Sequence, residues 1–372
     1  MHAMSTTSPT HRAIDAVWRI ESARVIAGLA RMLRDLDLAE ELAQDALVAA
    51  LETWPRDGVP DNPGAWLMTT AKRRAIDRLR RLQLLDRKHE ELARELEDIQ
   101  DERRSRDEDA LDHDIDDDLL RLVFVSCHPV LSMDARVALT LRLLCGLTTD
   151  EIARAFLAAE PTVAQRIVRA KRTLAEADVA FEVPRGDALQ ERLASVLGVV
   201  YLVFNEGYAA TSGDDWVRPA LCEEALRLGR MLAALTPREP EVHGLVALME
   251  IQASRLHARV GKDGEAVLLL DQDRSRWDQL LIRRGLEALA RAEQLGGAFG
   301  PYALQAAIAA CHARARTADA TDWVRIATLY AALAQVNPSP VVELNRAVAV
   351  SMATGPASAL PLVDRLQDDP AM

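Results

Sequence analysis

The chain has 372 residues, 49% of them hydrophobic, and a formal net charge of −12. This length predicts two or three domains, and the net negative charge excludes a protein that coats nucleic acid with its whole surface. Any nucleic-acid contact must therefore come from local basic patches. Glycine and proline are sparse, whereas alanine, leucine and arginine are abundant, so we expect an all-α protein.

The cysteines and the hydropathy argue against further classes of protein. The four cysteines lie far apart without a CxxC pair, which disfavours a disulfide framework and a structural zinc site. No run of about 18 apolar residues occurs, and the N-terminus lacks a long apolar core. We expect a cytoplasmic protein that makes no membrane contact and needs neither a metal nor a cofactor.

Two helices are predicted between residues 11 and 51, where apolar residues recur at helical spacing. A break near residues 35–37 separates the second helix, LAEELAQDALVAALETW, from the first. Its predicted outer face is acidic and hydrogen-bonding and comprises Glu40, Glu41, Gln44 and Asp45. The simplest interpretation of such a charged helix face is solvation.

A basic helix follows the loop PRDGVPDNP, with the sequence GAWLMTTAKRRAIDRLRRLQLLDRK. Its cations form one of the strongest positive clusters in the chain: Lys72, Arg73, Arg74, Arg78, Arg80, Arg81, Arg87 and Lys88. Basic side chains on a rigid helix beside an aromatic residue, here Trp66, are suited to phosphate contacts and base stacking. The alternative is a solvated basic helix whose Trp66 belongs to the core.

The charge becomes negative in residues 90–118, which contain fifteen Asp or Glu residues and only four Arg residues. Few apolar residues follow Leu96, so the segment cannot bury enough surface to fold alone and is predicted to be a linker. We place this acidic linker at residues 89–118, between helical domains at 12–88 and 119–178. The linker is either a solvated spacer or a mask for the basic patches.

Residues 148–176 have the pattern of two short helices joined by a tight turn, TTDEIARAFLAAEPTVAQRIVRAKRTLAE. Thr148 with Glu151, and Thr162 with Gln165, have the spacing of capping boxes at the two helix starts. The second helix carries Gln165, Arg166, Arg169, Lys171 and Arg172, and such a short basic helix suits the DNA major groove. An ordinary helical hairpin with a solvated basic face is the alternative.

The region from residue 187 to residue 372 is predicted to be helical throughout. Pro237, Pro338 and Pro370 follow apolar segments at separations of 101 and 32 residues, close to multiples of the 34-residue tetratricopeptide period. The alternative is a generic helical bundle with chance proline spacing. The polar segment VFNEGYAA, residues 203–210, is predicted to be a loop between helices, with a ligand pocket as the other possibility.

Taken together, the order of these motifs resembles the group IV, or extracytoplasmic-function, sigma factors of RNA polymerase. LAEELAQDALVAALETW resembles region 2.2 of that family, NPGAWLMTTAKRRAIDRLRR resembles regions 2.3 and 2.4, and GLTTDEIARAFLAAEPTVAQRIVRAKRTL resembles region 4. The resemblance covers residues 12–178. The helical tail resembles the subgroup that carries a C-terminal repeat extension in place of a separate anti-sigma partner.

The resemblance implies two partners, core RNA polymerase, through its β′ clamp and β flap, and promoter DNA. It assigns clamp docking to Glu40, Glu41, Gln44 and Asp45. It assigns melting and reading of the −10 element to Trp66, Lys72, Arg73, Arg74, Arg78, Arg80 and Arg81. It assigns the −35 element to Thr162, Gln165, Arg166 and Arg169, with Lys171 and Arg172 on phosphate. The tail is expected to modulate activity through contact with the sigma domains.

Three rival hypotheses remain open. A one-component regulator with a helix-turn-helix and a ligand- or peptide-sensing repeat domain leaves the first domain unexplained. An enzyme would need a cleft around Asn205, Glu206, His243 or His257, but no nucleophile–base motif, phosphate loop or metal spacing is present. A pure repeat scaffold would not need the basic helix or its acidic linker.

Overall fold

The computed structural model describes residues 9–85, 108–208, 217–261 and 265–366, which form fifteen α-helices. The helices of the first half are α1 Pro9–Leu33, α2 Leu36–Asp57, α3 Pro63–Leu85, α4 Glu108–Ser126, α5 Met133–Leu143, α6 Thr149–Ala155, α7 Glu160–Glu176 and α8 Asp187–Tyr208. Those of the second half are α9 Pro219–Leu235, α10 Pro240–Ala253, α11 Gln279–Gln294, α12 Pro301–Arg314, α13 Trp323–Val336, α14 Pro340–Thr354 and α15 Pro356–Leu366. The all-α prediction is confirmed.

The chain divides into two compact units, an N-terminal unit of Met1–Val199 and a C-terminal unit of Val200–Met372. In the N-terminal unit, α1 packs against α2, α3 and α4, and α7 packs against α5 and α6. The core includes the fully buried side chains of Ile14, Leu67 and Phe124. Within the described ranges, no helix is long and apolar enough to cross a membrane.

Local capping sets most of the predicted helix starts in this unit. The side chain of Asp35 accepts hydrogen bonds from the backbone N–H groups of Asp37 and Leu38, which places the predicted break between α1 and α2. Thr148 and Glu151 form the predicted capping box at the start of α6, with both reciprocal bonds present. These interactions are local in sequence and satisfy N–H groups that a helix start leaves without an intrahelical partner.

The predicted cap at Thr162 is wrong. Helix α7 begins at Glu160, and its N-cap, three residues before Thr162, is Ala159, which makes no side-chain capping bond. Pro161 lies in the first turn, where its missing N–H costs nothing and its fixed φ angle already suits a helix. Thr162 and Gln165 therefore lie inside the helix and do not form a capping box.

The acidic segment 89–118 also differs in part from the predicted linker. It is helical from Glu108, while residues 86–107, with the predicted cations Arg87 and Lys88, lie outside the described ranges. Asp118 is only 2% exposed and forms ion pairs with Arg31, at 3.2 Å, and with Arg121, at 2.5 Å. The end of the acidic run is therefore a buried part of the fold.

Helix α8 shows that the first unit extends past residue 187. Arg192 donates to the carbonyl oxygen of Phe124, and the Ser195 hydroxyl donates to the carbonyl oxygen of Cys127. Arg136 also donates to the Ser195 oxygen, at 2.9 Å. The first half of α8 thus belongs with the helices that precede it.

In the C-terminal unit, consecutive helices pack on one another from α9 to α15. Pro237 and Pro338 lie in the short connections that follow α9 and α13, as the repeat pattern predicts, and Pro370 lies outside the described residues. Helix α10 is buried on most of its surface and contacts both α11 and α12. One buried cluster lies between α10, α11 and α12, and another lies between α12, α13 and α14.

The predicted loop at residues 203–208 is wrong, since these residues are the last turns of α8. A Cβ atom on Gly207 would lie 2.7 Å from the backbone nitrogen of Cys222 and 2.9 Å from the carbonyl oxygen of Arg218. Glu206 is buried and pairs with Arg218 at 2.6 Å. The glycine is therefore required by a close approach of two backbones, which the sequence pattern alone does not reveal.

A pH dependence of stability follows from His312, which lies on α12 and is 7% exposed. Burial, and then the charges of Arg255 and Arg274, lower the pKa of His312 from 6.5 to about 4. Between pH 4 and pH 6.5, His312 binds a proton in the unfolded chain but not in the folded chain. Stability present above pH 6.5 is therefore lost as the pH falls toward 4, by up to about 3 kcal/mol. We expect denaturant titrations to show this loss for the native chain and a smaller one for His312→Gln. If the free energy of unfolding depended on pH equally in the native chain and in His312→Gln, the assignment of this pH dependence to His312 would be contradicted.

Candidate nucleic-acid interface

The acidic face of α2 is narrower than predicted. Glu41 is exposed, Gln44 and Asp45 are half-buried, and Val48, on the same face, is 48% exposed. Asp45 lies 3.4 Å from Arg74 of α3. Val48 was missed by sequence reasoning, although its position three and four residues after Asp45 and Gln44 places it among them on the helix.

Glu40 does not belong to that face, so its predicted solvent exposure is wrong. Its side chain is 7% exposed, and its carboxylate pairs with Arg142 of α5 at 2.5 Å and with Lys171 of α7 at 2.5 Å. Lys171 also pairs with Asp37 at 2.7 Å. Asp37, Glu40, Arg142 and Lys171 form a cluster of two carboxylates and two cations, which we call the Glu40 network. It joins the first predicted DNA-binding domain to the second.

Lys171 is consequently withdrawn from the outer face of α7. It is 9% exposed, and both of its carboxylate partners lie on α2. A buried ammonium that is already neutralised by two carboxylates has no charge left to offer a phosphate group. In this arrangement Lys171 therefore acts as a structural cation.

A second contact joins the two domains at the turn between α5 and α6. Gly146 has a φ angle of +66°, and a Cβ atom there would lie 2.9 Å from the Ser22 hydroxyl of α1. Arg19 of α1 pairs with Glu151 of α6 at 3.1 Å on the surface. The two domains are thus packed together by backbone proximity as well as by charge.

The basic face of α3 is largely open. The side chains of Arg73, Arg78, Arg80 and Arg81 are exposed. Lys72 is half-buried, and burial lowers its pKa, an effect that the nearby charge of Asp118 opposes.

Trp66 is half-buried and lies edge-on against Trp54, with ring centroids 5.4 Å apart. Trp54 is only 2% exposed, so it anchors one edge of the Trp66 ring to the core. Trp66 therefore combines the two interpretations of the sequence, since it packs on the core and keeps part of its surface accessible.

Helix α7 presents Thr162, Gln165, Arg169 and Arg172 to solvent. Arg172 pairs with Glu176 at 2.7 Å, and this hydrogen bond raises the pKa of its guanidinium. Val168 is 63% exposed on the same helix, and sequence reasoning missed it. An exposed apolar side chain among polar ones can contact a thymine methyl group in the major groove.

Arg166 differs from its neighbours because it is half-buried and pairs with Asp134 of α5 at 3.2 Å. That ion pair lies inside the second domain and orients α7 against α5. Arg166 would have to break its ion pair with Asp134 before it could contact DNA, whereas the Arg169 side chain is already exposed. The structure thus divides the six predicted −35 residues into two sets. Arg166 and Lys171 form ion pairs with neighbouring helices. The other four are exposed: Thr162, Gln165, Arg169 and Arg172.

Comparison with known families identifies three segments of the chain. The family described as Sigma-70 region 2 matches residues 19–84, and the family described as Sigma-70, region 4 matches residues 121–174. A family of unknown function, DUF6596, matches residues 192–293. An uncharacterized protein of Rhizobium meliloti (strain 1021) is 46% identical over 344 residues, which cover 92% of this chain and 80% of the relative. No solved structure matches the chain.

Proposed function

Since the chain belongs to the sigma-70 factors of the extracytoplasmic-function type, with a C-terminal extension, we propose how its surfaces divide the work of transcription initiation. Its partners are core RNA polymerase and promoter DNA. The outward side of α7 is the observation that carries the proposal, because it separates the side chains available to DNA from those held by the fold. A one-component regulator would leave α1 to α3 without a role.

Core polymerase docks, in this proposal, on the exposed face of α2. Glu41, Gln44 and Asp45 supply charge and hydrogen bonds for a basic helix of the β′ clamp, and Val48 supplies an apolar contact among them. Glu40 is excluded from this role while the Glu40 network is formed. The β flap remains the expected partner of the second domain.

The −10 element is assigned to α3. Arg73, Arg78, Arg80 and Arg81 are exposed along it and can neutralise phosphates, so binding should weaken steeply as the salt concentration rises. The accessible part of Trp66, held by Trp54, is a stacking platform for an unpaired base.

The −35 element is assigned to Thr162, Gln165, Val168, Arg169 and Arg172, which face outward from α7. Arg169→Ala should lower promoter-directed transcription about tenfold, because a specific arginine contact to a base is worth about 1–3 kcal/mol. The measurement is in vitro transcription with core polymerase across a promoter library. Arg185→Ala, at an exposed position outside α7, is the matched control. Equal activity of both variants would refute the assignment of this face.

We infer that the packed arrangement of the two DNA-binding domains is a resting one. The −35 and −10 elements are about 25 base pairs apart, or about 85 Å along B-DNA. A compact unit of 199 residues is only about 40 Å across by the usual scaling of the radius of gyration. Both elements can be read at once only after the Glu40 network and the Gly146 contact have separated.

We further propose that the C-terminal extension sets the activity of the sigma domains. The support is that the similarity to the Rhizobium relative covers 92% of the chain, so it includes much of the extension as well as the sigma domains. A chain ending at Val199 keeps the contacts of Arg192 and Ser195, which a truncation at residue 187 would remove. We expect the amount of transcription from a given promoter to differ strongly between this truncated chain and the full chain. Identical activities would refute a regulatory role.

A further inference from the structure

Three arginines of the C-terminal unit gather around two aromatic rings. The guanidinium carbon of Arg259 lies 3.9 Å from the centre of the Tyr208 ring, and that of Arg274 lies 4.9 Å from the centre of the Trp277 ring. The guanidinium carbon of Arg255 lies between them, 5.7 Å from the Tyr208 ring and 5.8 Å from the Trp277 ring. We call these five residues the arginine cluster.

The positive charge of the arginine cluster is not compensated within the described part of the chain. Among the described residues, none of its guanidiniums has a carboxylate oxygen within 4.0 Å. Glu206 pairs with Arg218, and Glu250 pairs with Arg230 through one of its two oxygens. Burial lowers the pKa of Arg255; Tyr208 opposes this effect, and the charge of Arg259 adds to it. Three cations held this closely raise each other's free energy unless an anion joins them.

Several N–H donors of the arginine cluster also lack an acceptor. Among the residues that the structure describes, the buried Nε atoms of Arg255 and Arg259 and the buried Nε1 atom of Trp277 have no hydrogen-bond partner. A buried donor left unpaired costs about 1–3 kcal/mol, so three in one place are a substantial loss of stability. Folded proteins rarely retain such groups without another use for them.

The three arginines differ in the contacts that they make with the rest of the fold. Arg274 donates to the carbonyl oxygens of His312 and Ala315 and so ties the end of α12 in place. Arg255 donates to the Tyr208 hydroxyl at 2.6 Å. For Arg259, the side chain has only the Tyr208 ring as a described contact. Arg259 and Arg274 are half-buried, whereas Arg255 is 9% exposed.

The segment that carries Arg255 and Arg259 also borders a cavity of about 650 Å³. Leu256 and Val260 line this cavity together with Cys222. Arg259 lies near enough to Cys222 for its charge to act on the pKa of that thiol, which burial raises. The cavity therefore adjoins the arginine cluster along the chain, and its lining includes none of the five cluster residues.

We propose that the arginine cluster binds a phosphate group, either free phosphate or the monoester of a small molecule. Guanidinium groups recognise phosphate through paired N–H donors, and more than one of them suits an anion with more than one negative charge. The Nε donors of Arg255 and Arg259 and the Nε1 donor of Trp277 supply hydrogen bonds that the fold leaves unused. The site belongs to the extension and does not depend on the surfaces assigned to polymerase and promoter.

The test is isothermal titration of the full chain with inorganic phosphate, and separately with phenyl phosphate, in buffers matched in ionic strength with chloride. We expect saturable binding, and at least about tenfold weaker binding for Arg259→Met. Arg316→Met, which removes an exposed cation elsewhere in the same unit, should bind as the native chain does. Tighter binding of phenyl phosphate identifies a small-molecule ester as the ligand, and tighter binding of inorganic phosphate identifies the free anion.

Thermal unfolding gives a second measurement. Phosphate up to about 20 mM should raise the unfolding temperature of the native chain and of Arg316→Met but not that of Arg259→Met. Without phosphate, Arg259→Met should be as stable as the native chain or more stable, because it removes a charge that no described carboxylate compensates. Absence of saturable binding, or an equal response of Arg259→Met and Arg316→Met, would overturn the proposal.

Discussion

Reversing two charges on the exposed face of α2, by Glu41→Lys with Asp45→Lys, is expected to lower the affinity for core polymerase at least about tenfold. The two side chains lie one helical turn apart beside Val48, so both would meet the same basic partner helix. The measurement is competition for core polymerase between the variant and the native chain, without DNA. The fold should be preserved, because Glu41 is exposed and Asp45 is half-buried.

Two controls test whether the loss of affinity comes from the α2 face, from the broken Asp45–Arg74 ion pair or from the change in net charge. Asp45 pairs with Arg74, so the single variant Glu41→Lys tests the face with that ion pair left intact. Glu287→Lys with Glu293→Lys makes the same change in net charge on the exposed side of α11. If the α11 variant loses as much affinity as the α2 variant, net charge and not the α2 face governs binding.

Lys171→Met is expected to destabilise the N-terminal unit by about 3 kcal/mol, because it leaves the buried carboxylate of Glu40 with fewer partners. Denaturant unfolding followed by a probe in this unit measures the change. Arg172→Met, next to it on α7, removes an exposed cation and should change stability little. A double-mutant cycle with Glu40→Gln should show that the two losses are not additive. Additive losses would mean that the two side chains do not act together.

The same variant distinguishes the structural role of Lys171 from the predicted phosphate contact. If Lys171 holds the two DNA-binding domains together, its loss favours their separation, and promoter-directed transcription by Lys171→Met is retained or raised at a temperature where the variant is folded. If it holds phosphate, transcription falls and its dependence on salt becomes less steep. A fall in transcription would therefore refute the structural role.

The sequence predicted what depends on neighbours a few residues apart. The break near residues 35–37 and the cap at Thr148 are local, and so is the helical spacing that placed Arg169 on the outer side of α7. The same spacing would have identified Val48 and Val168, had exposed apolar residues been sought on the polar faces.

What the sequence could not predict depends on distant partners. Glu40 is adjacent to Glu41 and was grouped with it, but its partners are 102 and 131 positions away, on α5 and α7. Nothing in the local pattern distinguishes these two carboxylates. The pattern around Gly207 predicts a loop, because the need for a glycine arises only where α8 meets the backbone around Cys222.

The two sides of α7 have consequences for how promoter choice can change in evolution. Substitutions at Thr162, Gln165 and Arg169 alter only the surface offered to DNA, since these side chains are exposed. A substitution at Lys171 disturbs a buried ion pair and demands a matching change at Glu40. Relatives of this protein should therefore diversify freely in the base-reading positions while positions 40 and 171 change together. New regulons can arise in this way without rebuilding the resting state of the factor.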